Sequence, residues 1–502
     1  MALDILGTIS PGWALKRDLA RIEREELRAY GEMLQKGYDA GGHGRMNQAW
    51  NAFNESAELT DRADRDTIRA RARDMERNSD IFNSVVSPFV RNVIGRGVTP
   101  QARTEDKELN KQLEALWEEW TRARNCDVTE TQSLNQMLRM LVRRKKVDGG
   151  MLLLKCYVPG GVLPFRLQAV EVDELAQMQI IPRAKGNKVV GGVEYNAWNR
   201  AVGYWIAQYD LDGMILPEAR YYPAKNVIFL FSKIRPSQVR EISDSKHILG
   251  RVRDANEFMT AVSLKQRIAA CLAVFIKRLN PMKNGQPIMG RPGTPEADPQ
   301  RPSYAGKQIT PGIINELGIN EEIQVVDPGS SGTDAGGFLK TLLRIIGAGL
   351  GLSYESTSRD MSQTNYSSAR QGIIEDELTY QEEAELLAET MREIYETFVI
   401  SAVLAGAVNI PRFWEDKRNY LRHKWVEAPK PWIDPLKEAK ATQIALQTGQ
   451  KTFKQISAEG GRDWQGQIDD MAEVAEYAAS KNITIGGACV AGTGKQDDPK
   501  NV

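Results

Sequence analysis

Five β-rich segments in the middle of an otherwise helical chain limit the folds that this sequence can adopt. Each segment combines β-branched, aromatic and other apolar residues, and Gly, Pro or Asn residues bound it, as is typical of strands. They lie at residues 151–158, 164–172, 188–197, 201–210 and 226–232. The pair Asn199-Arg200 fits a hairpin turn between two of them. Because apolar residues elsewhere follow helical spacing, the sequence predicts a mainly helical α+β protein.

Two apolar helices on either side of a long irregular segment are the second constraint. We predict the first helix over 249–278 and the second over about 336–350. The residues between them are rich in Pro and Gly and then contain short strand-like runs. An insertion of this length is unusual for a loop inside a compact domain. We therefore expect it to pack against a partner.

Two charged stripes are candidate subunit contacts. A long helix from Tyr366 to about Ala405 carries glutamates opposite its apolar face, and an earlier helix repeats arginine every four residues. The interface candidates are Arg65, Arg69, Arg73, Arg77, Glu385, Glu389 and Glu393. The alternative, two solvated faces of one subunit, is equally compatible with such charge runs.

The charge balance bears on nucleic-acid binding. The chain has 502 residues, with 66 Lys and Arg against 66 Asp and Glu, so its formal net charge is zero. Tight binding to DNA usually needs a basic excess that neutralises phosphates. Any DNA contact is therefore expected to be local and weak.

The sequence offers no recognisable catalytic or metal-binding motif. Its three histidines and four cysteines are far apart, without HExxH or CxxC spacing. Gly492-Thr493-Gly494-Lys495 lacks the upstream glycine of a P-loop and the following Ser or Thr. We therefore expect no enzyme activity, no cofactor and no metal, against the alternative of a nuclease or an ATPase. The longest strongly apolar run, 398–408, is too short to cross a bilayer, so no membrane partner is expected.

A family resemblance is carried by five segments in a fixed order. They are 68–101, 167–175 with 191–206, 223–243, 349–371 (GLGLSYESTSRDMSQTNYSSARQ) and 433–452 (IDPLKEAKATQIALQTGQKT). Together they cover nearly the whole chain and resemble the lambda-type portal family of tailed bacteriophages. Arg240-Glu241-Ile242 departs from the Arg-Gly-Val that is usual there.

The resemblance implies a portal fold with wing, stem, clip and crown regions. In this sequence the wing would be 1–248 with the β-rich part at 151–232, and the stem helices would be 249–278 and 334–351. The clip would be 279–333 and the tunnel loop 352–366. A long wing helix and its connection would occupy 367–430, crown helices 431–485 and a disordered tail 486–502.

The resemblance also implies a function and partners. Such a protein forms a ring, expected to be a dodecamer, at one capsid vertex of the virion, and double-stranded DNA is packaged and ejected through it. The implied partners are the terminase large subunit, the major capsid or scaffold protein and head-completion adaptor proteins, with assembly in the host cytoplasm. Another head–tail connector or ring-forming assembly protein is the alternative.

The tunnel-loop segment supplies the candidate channel residues. They are Arg359, Gln363, Asn365, Tyr366 and Arg370, of which Arg370 could instead form a salt bridge between subunits. Ser367 or Ser368 is predicted to cap the helix that follows.

Overall fold

The computed structural model describes most of the chain outside its termini and its Pro/Gly-rich insertion. The described residues are 11–34, 52–95, 97–176, 180–270, 274–278, 321–325, 335–362, 364–426, 435–462, 464–481 and 483. Backbone proximity divides the chain into two units, Met1–Leu59 and Thr60–Val502. The first unit contains helix α1, Pro11–Leu34, whose apolar side chains Leu15, Leu19, Ile22 and Leu27 are exposed. Most of helix α2, Ala57–Asn78, belongs to the second unit.

Helices and strands follow one another along this second unit as an α+β arrangement, confirming the predicted fold class. The remaining helices are α3 Asp80–Ile94, α4 Lys107–Trp120, α5 Ala123–Cys126, α6 Leu134–Asp148, α7 Leu249–Ala270, α8 Ala335–Gly349, α9 Tyr354–Ser358, α10 Tyr366–Leu404, α11 Lys417–Tyr420, α12 Pro435–Gln447, α13 Phe453–Glu459 and α14 Trp464–Ser480. The strands are β1 Thr99–Ala102, β2 Gly150–Tyr157, β3 Phe165–Val170, β4 Lys188–Val190, β5 Val193–Tyr195, β6 Ala201–Ile206, β7 Arg220–Pro223, β8 Val227–Phe231, β9 Val274–Arg278, β10 Glu321–Val325 and β11 His423–Val426.

The strands form four small antiparallel sheets among the described residues. One has the order β3-β2-β8, another is the meander β4-β5-β6-β7, and the pairs β1-β11 and β9-β10 complete the set. The turn between β5 and β6 contains Asn199 at φ 55°, which agrees with the predicted hairpin. The pairing of β1 with β11 joins segments more than 300 residues apart, which local sequence patterns do not reveal.

Strand β2 lies between two hydrophobic cores. Leu153 packs in the larger core and Leu152 and Leu154 pack in the smaller one, because successive side chains of a strand point to opposite faces. Burial on both faces explains why this strand reads as an unbroken apolar run.

The larger core is centred on aromatic side chains from several helices. Trp117 and Trp120 of α4 pack against Phe398 of α10 with ring centroids 5.0 and 5.4 Å away. Trp120 also stacks on Phe165 at 5.2 Å and donates its indole N–H to the Phe165 carbonyl at 2.8 Å. The polar atom of the largest buried side chain is thus satisfied, as a buried donor requires.

The predicted helix over 249–278 is too long. Helix α7 ends at Ala270, and residues 274–278 form strand β9, paired with β10. The run Val274-Phe275-Ile276 has apolar residues compatible with either period, and short apolar runs of this kind are ambiguous between helix and strand. A partner strand more than 40 residues away decides the outcome.

Two finer predictions also needed correction. The predicted strand 188–197 is two short strands, β4 and β5, because Gly191 and Gly192 turn the chain with φ values of 53° and 80°. Helix α10 is capped by Asn365 rather than by Ser367 or Ser368: the Asn365 side chain accepts from the Ser368 N–H at 2.8 Å. Most of the predicted clip, 279–333, and the predicted tail, 486–502, lie outside the described residues.

No helix in the described ranges is both long enough and apolar enough to cross a membrane.

Candidate functional site

The predicted tunnel loop is anchored on helix α10. Asp376, 2% exposed, accepts from the Ser353 N–H at 2.6 Å and from the Ser353 hydroxyl at 2.7 Å, and the Ser356 hydroxyl also contacts it. Ser353 in turn caps the short helix α9, which the sequence did not predict within this segment. One end of the segment is therefore fixed, while its remainder extends from α9 to α10.

The predicted channel residues lie between the end of α9 and the first turns of α10. Arg359 ends α9 in the left-handed region at φ 58° and is exposed. Asn365 and Arg370 are also exposed, Tyr366 is the first residue of α10, and Gln363 lies outside the described residues. The segment carries cations that the sequence reading did not include, because Lys340 and Arg344 of α8 lie over the Tyr354 ring at 5.3 and 5.5 Å. Residue spacing along one helix cannot reveal these contacts, because a turn of the chain separates α8 from Tyr354.

The arginine stripe of α2 is largely used inside the subunit. Arg65 donates to the Glu241 carbonyl at 2.9 Å, and Arg69 pairs with Asp173 at 2.8 Å and with Glu241 at 3.1 Å. Arg73 pairs with Asp148 at 2.7 Å and with Asp173 at 2.6 Å. Of the four arginines only Arg77 has an exposed side chain, at 68%. The prediction that the whole stripe is an intersubunit surface is therefore wrong for Arg65, Arg69 and Arg73, because buried charges need nearby counter-charges.

The departure at Arg240-Glu241 is part of the same network. Arg240 and Glu241 are 2% and 0% exposed and pair with each other at 2.7 Å. Arg240 also donates to the Gly191 and Val172 carbonyls at 2.6 and 3.0 Å. The pair thus ties the loop after β8 to the β4-β5 turn and to the residues that follow β3.

A second buried cluster joins α6 to the middle of α10. Lys145 lies 2.7 Å from Asp244 and 2.9 Å from Glu383, and Lys146 contacts the same two carboxylates. Burial alone would lower the pKa of Lys145, but the two carboxylates outweigh it and raise that pKa. The sequence alone does not identify Glu383, because nothing in its spacing shows that this glutamate faces the core while its glutamate neighbours do not.

The predicted glutamate stripe of α10 divides into different environments. Glu385 is exposed, Glu389 pairs with Arg392 at 2.8 Å, and Glu393 accepts from Lys155 at 2.7 Å. Among the residues that the structure describes, no ion pair joins this stripe to Arg77 within the subunit.

The apolar side of α10 is buried along only part of its length. Leu387, Met391 and Phe398 are at most 3% exposed, whereas Ile374 and Leu378 near the start of the helix are 47% and 54% exposed. The start of α10, next to the predicted tunnel loop, therefore presents an apolar surface that the described part of the subunit does not cover.

A basic groove lies between the β1-β11 pair and helix α13. Its cavity volume is about 420 Å³ at one end, with an adjoining 250 Å³. The lining side chains include Arg103, Arg422, His423, Lys424, Lys454, Arg462, Trp425 and Trp464. Burial lowers the pKa of His423 below its ordinary value, so this ring is uncharged at neutral pH. Across the ranges that the structure describes, no cluster of His, Cys, Asp or Glu has the arrangement of a metal site.

Comparisons with known proteins agree with the segment pattern. The family model "Phage portal protein, lambda family" matches residues 43–383. The chain is 23% identical over 434 residues to a "Probable portal protein" of Halomonas phage phiHAP-1, covering 84% of this chain and 82% of that protein. It is 21% identical to "Portal protein B" of Escherichia phage lambda, covering 86% and 87% of the two chains.

Solved structures with a similar chain come from gene transfer agent particles. A chain from the "Neck of empty GTA particle computed with C6 symmetry" aligns with a TM-score of 0.46 and 12% identity, covering 80% of this chain and 93% of that one. A chain from the "Neck of native GTA particle computed with C12 symmetry" aligns with a TM-score of 0.43 and 13% identity, covering 78% and 90%. Because the family model matches more than half of its length, the chain belongs to the lambda family of phage portal proteins, which form a ring at a capsid vertex.

Proposed function

We propose that this portal subunit is a non-enzymatic part of a dodecameric conduit through which double-stranded DNA enters and leaves the capsid. The observation that carries the proposal is the pairing of helices α7 and α8, whose Phe258 and Phe338 rings lie 4.8 Å apart. Strands β9 and β10 pair directly beyond α7. This arrangement supports the assignment of 249–270 and 334–351 as stem and of the segment containing β9-β10 as clip.

The surfaces of the stem helices support packing between subunits. Met259 and Leu264 of α7 are 42% and 56% exposed, and Phe338 and Ile345 of α8 are 51% and 43% exposed. Apolar side chains grouped on two adjacent helices gain stability when a neighbour covers them. A ring supplies such a neighbour on both sides of each subunit.

Residues 352–366 would form the tunnel loop, with Arg359, Asn365 and Arg370 near passing DNA. The loop is anchored on Asp376 through Ser353, and its side chains Arg359 and Asn365 are exposed where the duplex would pass. A few cations per subunit suit a conduit, because several neutralised phosphates in one subunit would hold DNA too firmly for translocation. Arg77, Glu385 and Glu389 are retained as candidate subunit contacts.

We further propose that the clip docks the terminase large subunit during packaging and head-completion proteins afterwards. The wing would meet the major capsid or scaffold protein during assembly in the host cytoplasm, and residues 431–485 would form the crown. The second candidate, another head–tail connector, would use the same ring but would not be required for packaging.

The decisive experiment replaces residues 359–364, beyond α9, with a Gly/Ser linker of equal length. Rings should form as in the wild type under negative-stain microscopy, and DNA packaging or retention should fall. Wild-type packaging by this variant would contradict the role of the loop. Purified wild-type rings should also show no intrinsic ATPase or nuclease activity; turnover in either assay would overturn the non-enzymatic assignment.

A further inference from the structure

The basic groove defined above is distinctive because five cations without an ion pair in the described part of the chain line it together. Among the described residues, no carboxylate forms an ion pair with any of Arg103, Arg422, Lys424, Lys454 and Arg462. One carboxylate, Glu459, lines the groove, but it already pairs with Lys451 at 2.8 Å. Five like charges facing one cavity repel one another unless an anion enters. The chain as a whole is neutral, so this concentration of charge is local.

The floor of the groove is apolar. Trp425, Val426 and Trp464 line it. Together with the cations around it, this floor suits an occupant that brings both carboxylates and apolar side chains.

Helix α14 offers such a surface. Asp469, Asp470, Glu473 and Glu476 follow 3/4 spacing and share one face. All four are exposed, and none forms an ion pair in the described ranges. The exposed apolar residues Val474 and Tyr477, at 54% and 68%, lie beside this face. The helix thus combines the two features that the groove lacks.

The acidic face cannot fill the groove of its own subunit. Trp464, the first residue of α14, lines the groove, but none of the four carboxylates does. At about 1.5 Å per residue, Glu476 lies roughly 18 Å further along the helix axis than Trp464. Within one subunit the acidic face therefore does not line the groove.

We propose that in the assembled ring the basic groove of one subunit binds the acidic face of helix α14 of the next subunit. This inference rests on the ring proposed above. A ring requires a head-to-tail contact in which two different surfaces of each subunit meet, and opposite charges on those surfaces fix the orientation of the partners. It is separate from the candidate contacts Arg77, Glu385 and Glu389, which it leaves in place.

A charge-swap experiment on the full chain tests the contact. The groove variant combines Lys454→Glu with Arg462→Glu, and the helix variant combines Asp469→Lys with Glu473→Lys. Each alone should raise the subunit concentration for half-maximal ring assembly, measured by mass photometry at 0.1 M salt, by about tenfold or more. Combining both variants should recover most of the loss, because the pairs re-form with reversed sign.

Matched controls change charge elsewhere by the same amount. Lys185→Glu with Lys188→Glu reverses two exposed lysines, and Glu118→Lys with Glu119→Lys reverses two exposed glutamates. Both should assemble as the wild type does. All variants should keep the wild-type melting temperature as monomers, so that loss of assembly is not loss of folding.

Three results would overturn the inference in distinguishable ways. Normal assembly by both single-side variants removes the contact while leaving the ring intact. Failure of the combined variant to recover indicates that the two surfaces act separately. If groove reversal weakens binding of a short DNA duplex, measured by fluorescence anisotropy, but leaves assembly unchanged, the groove binds phosphate instead. A wild-type chain that never forms rings would instead contradict the proposed function itself.

Discussion

The region around Lys145 and Glu383 differs from the region of helices α12 to α14 in two respects. They are the burial of its side chains and the pairing of its charges. In the first, Lys145 is 1% exposed, and both Asp244 and Glu383 lie within 3 Å of its ammonium group. In the second, Leu436, Ile444 and Val474 are 67%, 58% and 54% exposed, and the cations of the groove form no ion pair among the described residues. The first region is complete in one subunit and the second is not.

The difference separates folding from assembly. A buried charge without its counter-charge strongly destabilises a fold, so groups that become buried when the subunit folds must find partners in the same chain. Groups that become buried only in the ring can remain unpaired in the isolated subunit, because water solvates them there. Substitutions in the first region should therefore change the stability of the isolated subunit, and those in the second should change assembly.

The largest effect on the isolated subunit is expected for Glu383→Gln. The change removes a charge that Lys145 and Lys146 share, leaving Asp244 as their remaining carboxylate in the cluster. We expect the free energy of unfolding to fall by about 3 kcal/mol, measured by urea denaturation of the monomer.

Glu385→Gln is the matched control, because this residue lies on the same helix but is exposed. Its effect should stay within about 0.5 kcal/mol. Equal effects of the two substitutions would show that the buried cluster contributes no more than a surface charge, and the comparison between the two regions would fail.

A smaller and local effect is expected for Asp376→Ala. The loss of its carboxylate leaves the Ser353 N–H and two serine hydroxyls without their acceptor. Leaving buried donors unsatisfied costs about 1–3 kcal/mol. Amide hydrogen exchange should accelerate over 353–358, while the neighbouring exposed change Glu375→Ala should leave it unchanged. Unaltered exchange in the Asp376 variant would mean that the tunnel loop is anchored by other contacts.

Local patterns in the sequence predicted much of the fold. The β-rich stretch 151–232, the long helix α10 and the paired helices around the insertion all follow from periodicity, since each is long or strongly patterned. Short elements fixed by distant partners did not follow: β1 pairs with β11, and β9 takes its conformation from β10. Nothing within a few residues of Val274 distinguishes a strand from the last turn of a helix.

The candidate site was predictable only in outline. The assignment of 352–366 as tunnel loop came from the family resemblance and stays a prediction, whereas the anchor Asp376 and the helix cap Asn365 depend on three-dimensional contacts. The arginine stripe was correctly placed on one helix face, but its assignment to a contact between subunits was wrong for Arg65, Arg69 and Arg73, because spacing identifies a face without indicating what covers it. The basic groove combines residues 103, 422–424 and 454–462, so it has no signature in any one segment.

A still smaller effect on monomer stability is expected for Val474→Asn. Its side chain is 54% exposed in one subunit, and the two residue types have similar helix propensities. The free energy of unfolding should change by no more than about 0.5 kcal/mol, while ring assembly weakens. The same change at Met391, 1% exposed in the core, should cost about 3 kcal/mol. A large loss of monomer stability from Val474→Asn would show that α14 is already packed in the subunit.

The smallest effect concerns pH and His423, which lies where the core meets the groove. Burial lowers the pKa of His423 in the folded chain, with a smaller contribution from Arg392, although the Leu421 carbonyl and Glu396 act in the opposite direction. Since the unfolded chain then binds more protons, stability should fall as the pH drops from about 6.5 towards the lowered folded pKa. Asp244, whose pKa its neighbours Lys145 and Lys146 lower despite burial, loses its stabilising charge only at more acidic pH. Melting temperatures of the monomer between pH 7.5 and 5.5 should therefore decline less steeply in His423→Gln than in the wild type. If the melting temperatures of the two proteins declined equally with falling pH, the pKa of His423 would be the same in the folded and the unfolded chain. His423 would then be as solvated in the folded subunit as in the unfolded chain.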